Sequence, residues 1–137
     1  VRMSTRSRYG LRALLYLADR PGVTPVPLSE IAAAEEIPAA FLERIMGGLR
    51  EAGLVNATRG AAGGYRLSRA PSEITAADVV TAMENPRPLV DCLPDPAVCE
   101  RSSACRARIA WRRLDEAVSG ALAGVTLEEL ARPEGSG

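Results

Sequence analysis

Gly53-Leu54-Val55, followed by Arg59-Gly60-Ala61-Ala62-Gly63-Gly64-Tyr65-Arg66-Leu67, is the stretch that decides the fold. Leu54-Val55 and Tyr65-Arg66-Leu67 are short alternating segments separated by a glycine-rich run, which predicts a small β-hairpin. The residues just before it give that hairpin its meaning. Ser29 is expected to cap a short helix, Glu30 to about Glu35, with Ile31 facing inward. Glu36-Ile37 reads as a tight turn, and Pro38 takes the first position of a further helix running to about Ala52. Phe41, Leu42, Ile45, Leu49 and Ala52 form its apolar stripe, and Gly53 is its stop. Two helices joined by so short a turn make a helix-turn-helix, and a hairpin placed directly after one is a wing.

Working outward, Ser4 or Thr5 is expected to cap a first helix that reaches about Arg20 and buries Leu11, Leu14, Leu15 and Ala18. It stops at Pro21-Gly22, where a proline-punctuated loop begins. Thr75 caps a helix from Ala76 to Glu84 with Val79, Val80 and Met83 inward. Four prolines between residues 86 and 96 exclude helix there. A long helix then runs from near Ala104 to about Ala123. Its apolar positions Ala107, Trp111, Leu114, Val118 and Ala121 step by four and three, the spacing of a helix–helix seam. Such a seam packs either on the chain's own first helix or on a second subunit. The length of the helix, and the lack of a later element to cover it, favour the subunit. Thr126 caps a last helix, Leu127 to Ala131.

The expected architecture is mainly α with one small β-hairpin. A winged helix-turn-helix domain occupies residues 1–84 and a cysteine-bearing sensor loop 85–103. A dimerisation helix and short closing helix fill 104–131, and 132–137 form a disordered tail.

With 47% apolar and 25% charged residues in 137, the chain has the composition of one globular domain with an appendage. No apolar run approaches the roughly 18 residues of a membrane span. The basic opening residues are not followed by a signal-like apolar segment, so the expected location is cytoplasmic, without processing. Zero net charge conceals a polarity: residues 1–70 hold ten Arg against six acids, and residues 71–137 seven Arg against eleven. A basic front half is suited to a polyanion. All seventeen basic residues are arginine. That fits phosphate and guanine recognition, and equally the codon usage of a GC-rich genome.

The face of the second helix-turn-helix helix opposite its apolar stripe carries Ala39, Ala40, Glu43, Arg44, Gly47 and Arg50. Alanines suit thymine methyls, Glu43 suits cytosine N4, and arginines suit phosphate or guanine. The bland alternative is a solvated helix face. Arg59, between Thr58 and Gly60, stands where a wing arginine enters a minor groove. Arg2, Arg6, Arg8 and Arg12 add positive charge along the first helix. The candidate DNA-contacting set is Arg2, Ser4, Arg6, Arg8, Ala39, Ala40, Glu43, Arg44, Arg50, Thr58, Arg59, Gly60, Gly63 and Tyr65.

Cys92, Cys99 and Cys105 are the only cysteines, packed into one segment of a chain that has no histidine. In a reducing compartment, such clustering points to a metal or iron–sulfur site, or to redox-active thiols without metal. Structural zinc is disfavoured, since tetrahedral sites usually need four Cys/His ligands. Asp91, Asp95 and Glu100 are near enough in sequence to complete a cluster site, and Arg101, Arg106 and Arg108 to offset its charge. Without histidine, a nucleophilic cysteine lacks its usual base, so no catalytic residue is assigned.

The segments Arg2–Leu14, Gly53–Val55, Arg59–Leu67 and Pro71–Val80 together resemble the IscR/NsrR-type (Rrf-type) winged-helix iron–sulfur transcriptional regulators, over about residues 2–130. The resemblance implies a homodimer that reads a palindromic operator on double-stranded DNA. It also implies a cluster, 2Fe–2S or 4Fe–4S, on Cys92, Cys99 and Cys105, whose loss, oxidation or nitrosylation changes DNA affinity. Residues 38–44 and Arg59 match its DNA-contacting places. The fourth ligand departs from the pattern. Arg108 stands where IscR-like members have histidine, and Arg8 where NsrR-like members have an acid. The expected function is therefore a DNA-binding repressor sensing iron, redox state or nitric oxide. The alternative is a cluster-free thiol regulator, or a subunit docking on a cysteine-metabolism enzyme.

Overall fold

The computed structural model describes residues 3–20, 24–84 and 106–131. The expectations placed on Arg2, on Cys92, Cys99 and Cys105, on the sensor loop and on the tail lie outside these residues. Helix α1 (Thr5–Ala18) starts at Ser4, whose hydroxyl accepts the Ser7 N–H at 3.1 Å. Its buried face is Ser7, Gly10, Ala13, Leu14 and Leu17. This is wider than the expected stripe and rotated from it: Leu11, Leu15 and Ala18 are half-buried. The cause is tertiary, because α1 is enclosed on several sides.

Helix α2 (Leu28–Glu35) begins one residue before Ser29, so the expected serine cap is incorrect. Pro27 is the cap residue, and its carbonyl accepts the N–H groups of Glu30 and Ile31. Glu36 closes α2 in the left-handed conformation (φ 56°) and Ile37 is buried in the turn. Pro38 lies one residue earlier than expected. It is the extended cap, not the first turn, of α3 (Ala39–Glu51). Leu42, Ile45, Met46 and Leu49 form the buried side of α3, while Phe41 is half-buried. Ala52, expected inside, is exposed because the helix has ended and Gly53 (φ 80°) turns the chain away.

Strands β1 (Val55–Thr58) and β2 (Gly64–Leu67) pair antiparallel with Val55 opposite Leu67 and Thr58 opposite Gly64. The hairpin is anchored from below. Val26 exchanges both backbone hydrogen bonds with Tyr65, at 2.9 and 2.8 Å. A Cβ on Gly64 (φ 151°) would overlap the Val26 carbonyl.

A single 3₁₀ turn (Pro71–Glu73) leads to α4 (Ala76–Met83), which opens with a reciprocal capping box between Thr75 and Asp78. Ala76, Val79 and Met83 are buried, and Val80 is half-buried. After α5 (Ala107–Ala123), helix α6 (Leu127–Ala131) returns to the winged-helix core. Ala76 N–H donates to Val125 O and Leu127 N–H to Ile74 O, and Leu127 is 1% exposed. One apolar core therefore joins α1, α2, α3, α4, the hairpin and α6. The architecture is the expected one: mainly helical, with one β-hairpin among the described residues.

The N-terminus of α1 is tied to the end of α4. The Glu84 carboxylate accepts Ser4 N–H at 3.1 Å, the Ser4 hydroxyl at 2.6 Å and the Ser7 hydroxyl. These hydrogen bonds hold the Glu84 carboxyl below the usual glutamate range.

Two predictions follow from this packing. Gly64→Ala should destabilise the fold by ~2–4 kcal/mol, through left-handed strain and backbone overlap. Urea unfolding measures this, and a parent-like midpoint would show that the Val26–Tyr65 bridge yields easily. The second concerns acid. Since folding lowers the Glu84 pKa, its stabilisation is complete above the unfolded value of about 4.3 and disappears as pH falls through the lower folded value. Glu84→Gln should therefore flatten the acid limb of stability below about pH 4.3. Unfolding midpoints taken from acid to neutral pH give the comparison.

Candidate nucleic-acid interface

Helix α3 buries one side and leaves the other to solvent. Ala39, Ala40, Glu43, Arg44 and Arg50 are all exposed, as expected, and Gly47 is half-exposed. The left-handed Glu36 and extended Pro38 set this face outward, with its N-terminal residues leading. The hairpin presents Thr58, Arg59 and Gly60 at its exposed tip. Gly60 (φ 101°) makes the turn, and the Gly63 N–H donates to its carbonyl at 2.9 Å. Gly63 is buried in the turn, where a Cβ would overlap the Thr58 carbonyl. Tyr65 is half-buried against the core, so its ring supports the wing from beneath.

The arginines divide into two groups. Arg12 donates through Nε to the Glu35 carboxylate at 3.2 Å and through Nη2 to the Glu35 carbonyl, and its guanidinium lies over the Tyr9 ring at 5.3 Å. A cation at the carbonyl end of α2 also complements that helix's dipole. Tyr9 in turn meets Phe41 edge-on at 5.6 Å between ring centres, which fixes α1 against α3. Arg20 pairs with Glu30 at 2.9 Å and stacks on Tyr16. The Tyr16 hydroxyl donates to Glu30, and that bond raises the phenol's pKa. Arg44, Arg50 and Arg59, by contrast, make no ion pair or hydrogen bond among the described residues.

Arg6 and Arg8 are exposed near the start of α1, where Arg8 donates to Thr5, three residues before it, at 3.2 Å. Ser4 from the same candidate set is half-buried, spent on capping α1 and on Glu84. The structure thus gathers the exposed face of α3 and the wing tip as two neighbouring elements beyond one core, with the start of α1 as a third basic feature. Sequence reading missed the internal partners: Glu35 for Arg12, and Glu84 for Ser4 and Ser7. Pairs so distant along the chain leave no periodic signal.

Helix α5 has no buried residue. Along the expected seam Ala107, Trp111, Leu114 and Ala121 are exposed and Val118 is half-buried, and α5 leans on α4. Trp111 and Leu114 are 42% and 40% exposed, a large apolar outlay for a free surface. No group of three His, Cys, Asp or Glu able to hold a metal occurs among the described residues, and no described helix is long and apolar enough to cross a membrane.

Comparison with known proteins agrees with this architecture. Residues 3–133 match the model of the Rrf2 family, described as an iron-dependent transcriptional regulator. The HTH-type transcriptional regulator CymR of Bacillus subtilis is 37% identical over 131 residues, covering 96% of this chain and 90% of the relative. The HTH-type transcriptional regulator IscR of Photorhabdus laumondii is 33% identical over 130 residues, covering 95% and 79%. The solved structure of CymR, the global cysteine regulator of B. subtilis, superposes with a TM-score of 0.78 at 38% identity, over 96% of both chains. The chain belongs to the Rrf2 family and is a transcriptional regulator, not an enzyme.

Proposed function

We propose that this protein is a homodimeric, sequence-specific DNA-binding repressor whose affinity for a palindromic operator responds to the state of Cys92, Cys99 and Cys105. One observation carries the DNA part. Arg44 and Arg50 of α3 and Arg59 at the wing tip make no ion pair or hydrogen bond among the described residues, while Arg12 and Arg20 are neutralised internally. Guanidinium groups left unpaired on a helix-turn-helix face and a wing tip match phosphate and base-edge acceptors. Arg44 and Arg50 serve the major groove, and Arg59 the adjoining minor groove. Dimerisation through α5 covers Trp111 and Leu114 and places two recognition helices on one duplex.

Three thiolates suit an iron–sulfur cluster, which supplies redox and nitric oxide sensitivity when bound. Likeness to IscR supports this reading. Likeness to CymR, a cysteine regulator, supports a second one: the same cysteines act as metal-free thiols, or the protein docks on an enzyme of cysteine metabolism. The metal-free thiol reading keeps the DNA interface, whereas in the docking reading the winged helix is a protein-docking module with no specific DNA site and no steep log-salt slope.

Arg59→Ala should weaken operator binding by ~1–3 kcal/mol and reduce the log-salt slope by about one. Salt-titrated anisotropy measures both, and parent-like binding by the variant would remove Arg59 from the interface. For the cysteines, anaerobically purified protein should carry iron and sulfide and absorb in the visible, and each Cys→Ala variant should lose that colour. A colourless, iron-free protein with unaltered DNA affinity would eliminate the cluster and leave the thiol reading.

A further inference from the structure

We propose that Glu84 is a positioning residue for DNA binding, holding the start of α1 so that Arg6 and Arg8 face the phosphate backbone; this rests on the DNA-binding reading above. The start of α1 has an electrostatic problem. Its first turn carries no acid, and Arg6 and Arg8 place positive charge at the positive end of the helix dipole. An anion is needed there, and α4 provides it. One oxygen of Glu84 accepts from Ser4 N–H, Ser4 Oγ and Ser7 Oγ. Ser7 is only 4% exposed, so its hydroxyl requires an internal partner, and Glu84 is that partner.

The contact also fixes orientation. Behind it, Gly10 faces Met83 so closely that a Cβ would stand 3.2 Å from Met83 Cγ, and a Cβ on Gly48 of α3 would stand 2.9 Å from Met83 Cε. Met83 therefore packs between α1 and α3 with little free space, and Glu84, the next residue, ties the end of α1. The basic start of α1 is thus held by the residue that directly follows Met83, and Met83 is what touches α3. Glu84 also immediately precedes the segment that carries the three cysteines.

The test uses the full-length chain and a fluorescein-labelled duplex selected by the parent protein from a random-sequence library. Glu84→Gln keeps the shape and removes the charge. It should weaken binding roughly tenfold and make the log-salt slope shallower by about one to two, as α1 phosphate contacts are lost. Val80→Ala truncates a half-buried side chain one turn before Glu84 but leaves the Glu84 carboxylate and the Val80 carbonyl that accepts the Glu84 N–H, so it serves as the stability control and should retain the parent slope. Glu84→Gln with a parent-like slope would overturn the proposal while leaving the DNA-binding reading intact. An equal loss of slope in Val80→Ala would overturn it too, because general destabilisation would then be the cause. A parent protein that selects no duplex would overturn both readings together.

Discussion

Burial of α1 is the constraint on which the remaining structure depends. Ala13, Leu14 and Leu17 lie at the centre of the apolar core, and α2, α3, α4, α6 and β2 all pack against this one helix. Each fully buried leucine contributes about 1.5–3 kcal/mol of transfer free energy, and the gain is available only if the partner elements close around it. Small residues make the closure possible. Gly10 lets α4 approach, and Met83 fills the remaining gap between α1 and α3. The orientation of α3 is therefore an outcome of core packing, with Tyr9 on Phe41 and Arg12 on Glu35 as outer fastenings.

Charge is partitioned by the same geometry. Arg12 and Arg20 sit where an acid or a helix carbonyl end meets them, and they act within the fold. Arg44, Arg50 and Arg59 are exposed and make no ion pair among the described residues. Formal neutrality of the whole chain is compatible with this arrangement, since recognition depends on local field and not on the sum. The start of α1 runs two cations against the helix dipole, and the Glu84 carboxylate at the end of α4, bonded to Ser4 and Ser7, brings a negative charge to that end of the helix.

Helix α5 stands apart energetically. Its seventeen residues bury no side chain fully, and a helix of that length is marginal in water without a packed face. Its apolar stripe, exposed in the single chain, gains its stabilisation from a surface outside this protomer under the dimeric reading. The chain then returns through α6 to the winged-helix core, which fixes the C-terminal end of α5 to that core.

Local chemistry settled much of this from the sequence. The glycine run 60–64, the Gly53 stop, the Thr75 and Thr126 caps and the apolar steps of α3 and α5 all act over a few residues, and periodicity records them. The mainly helical winged architecture and the exposed α3 face were legible for that reason. Legibility failed wherever the controlling partner was remote. Ser29 resembles a cap, yet Pro27 takes that place because Val26 is fixed by Tyr65. The inward face of α1 includes Ser7 and Gly10 because Glu84 and Met83 come to meet them. Hydrophobic pattern determined which helices exist. Only the assembled core decided which arginines are spent holding it together and which remain for a partner, because an ion pair depends on distance in space and not on separation along the chain.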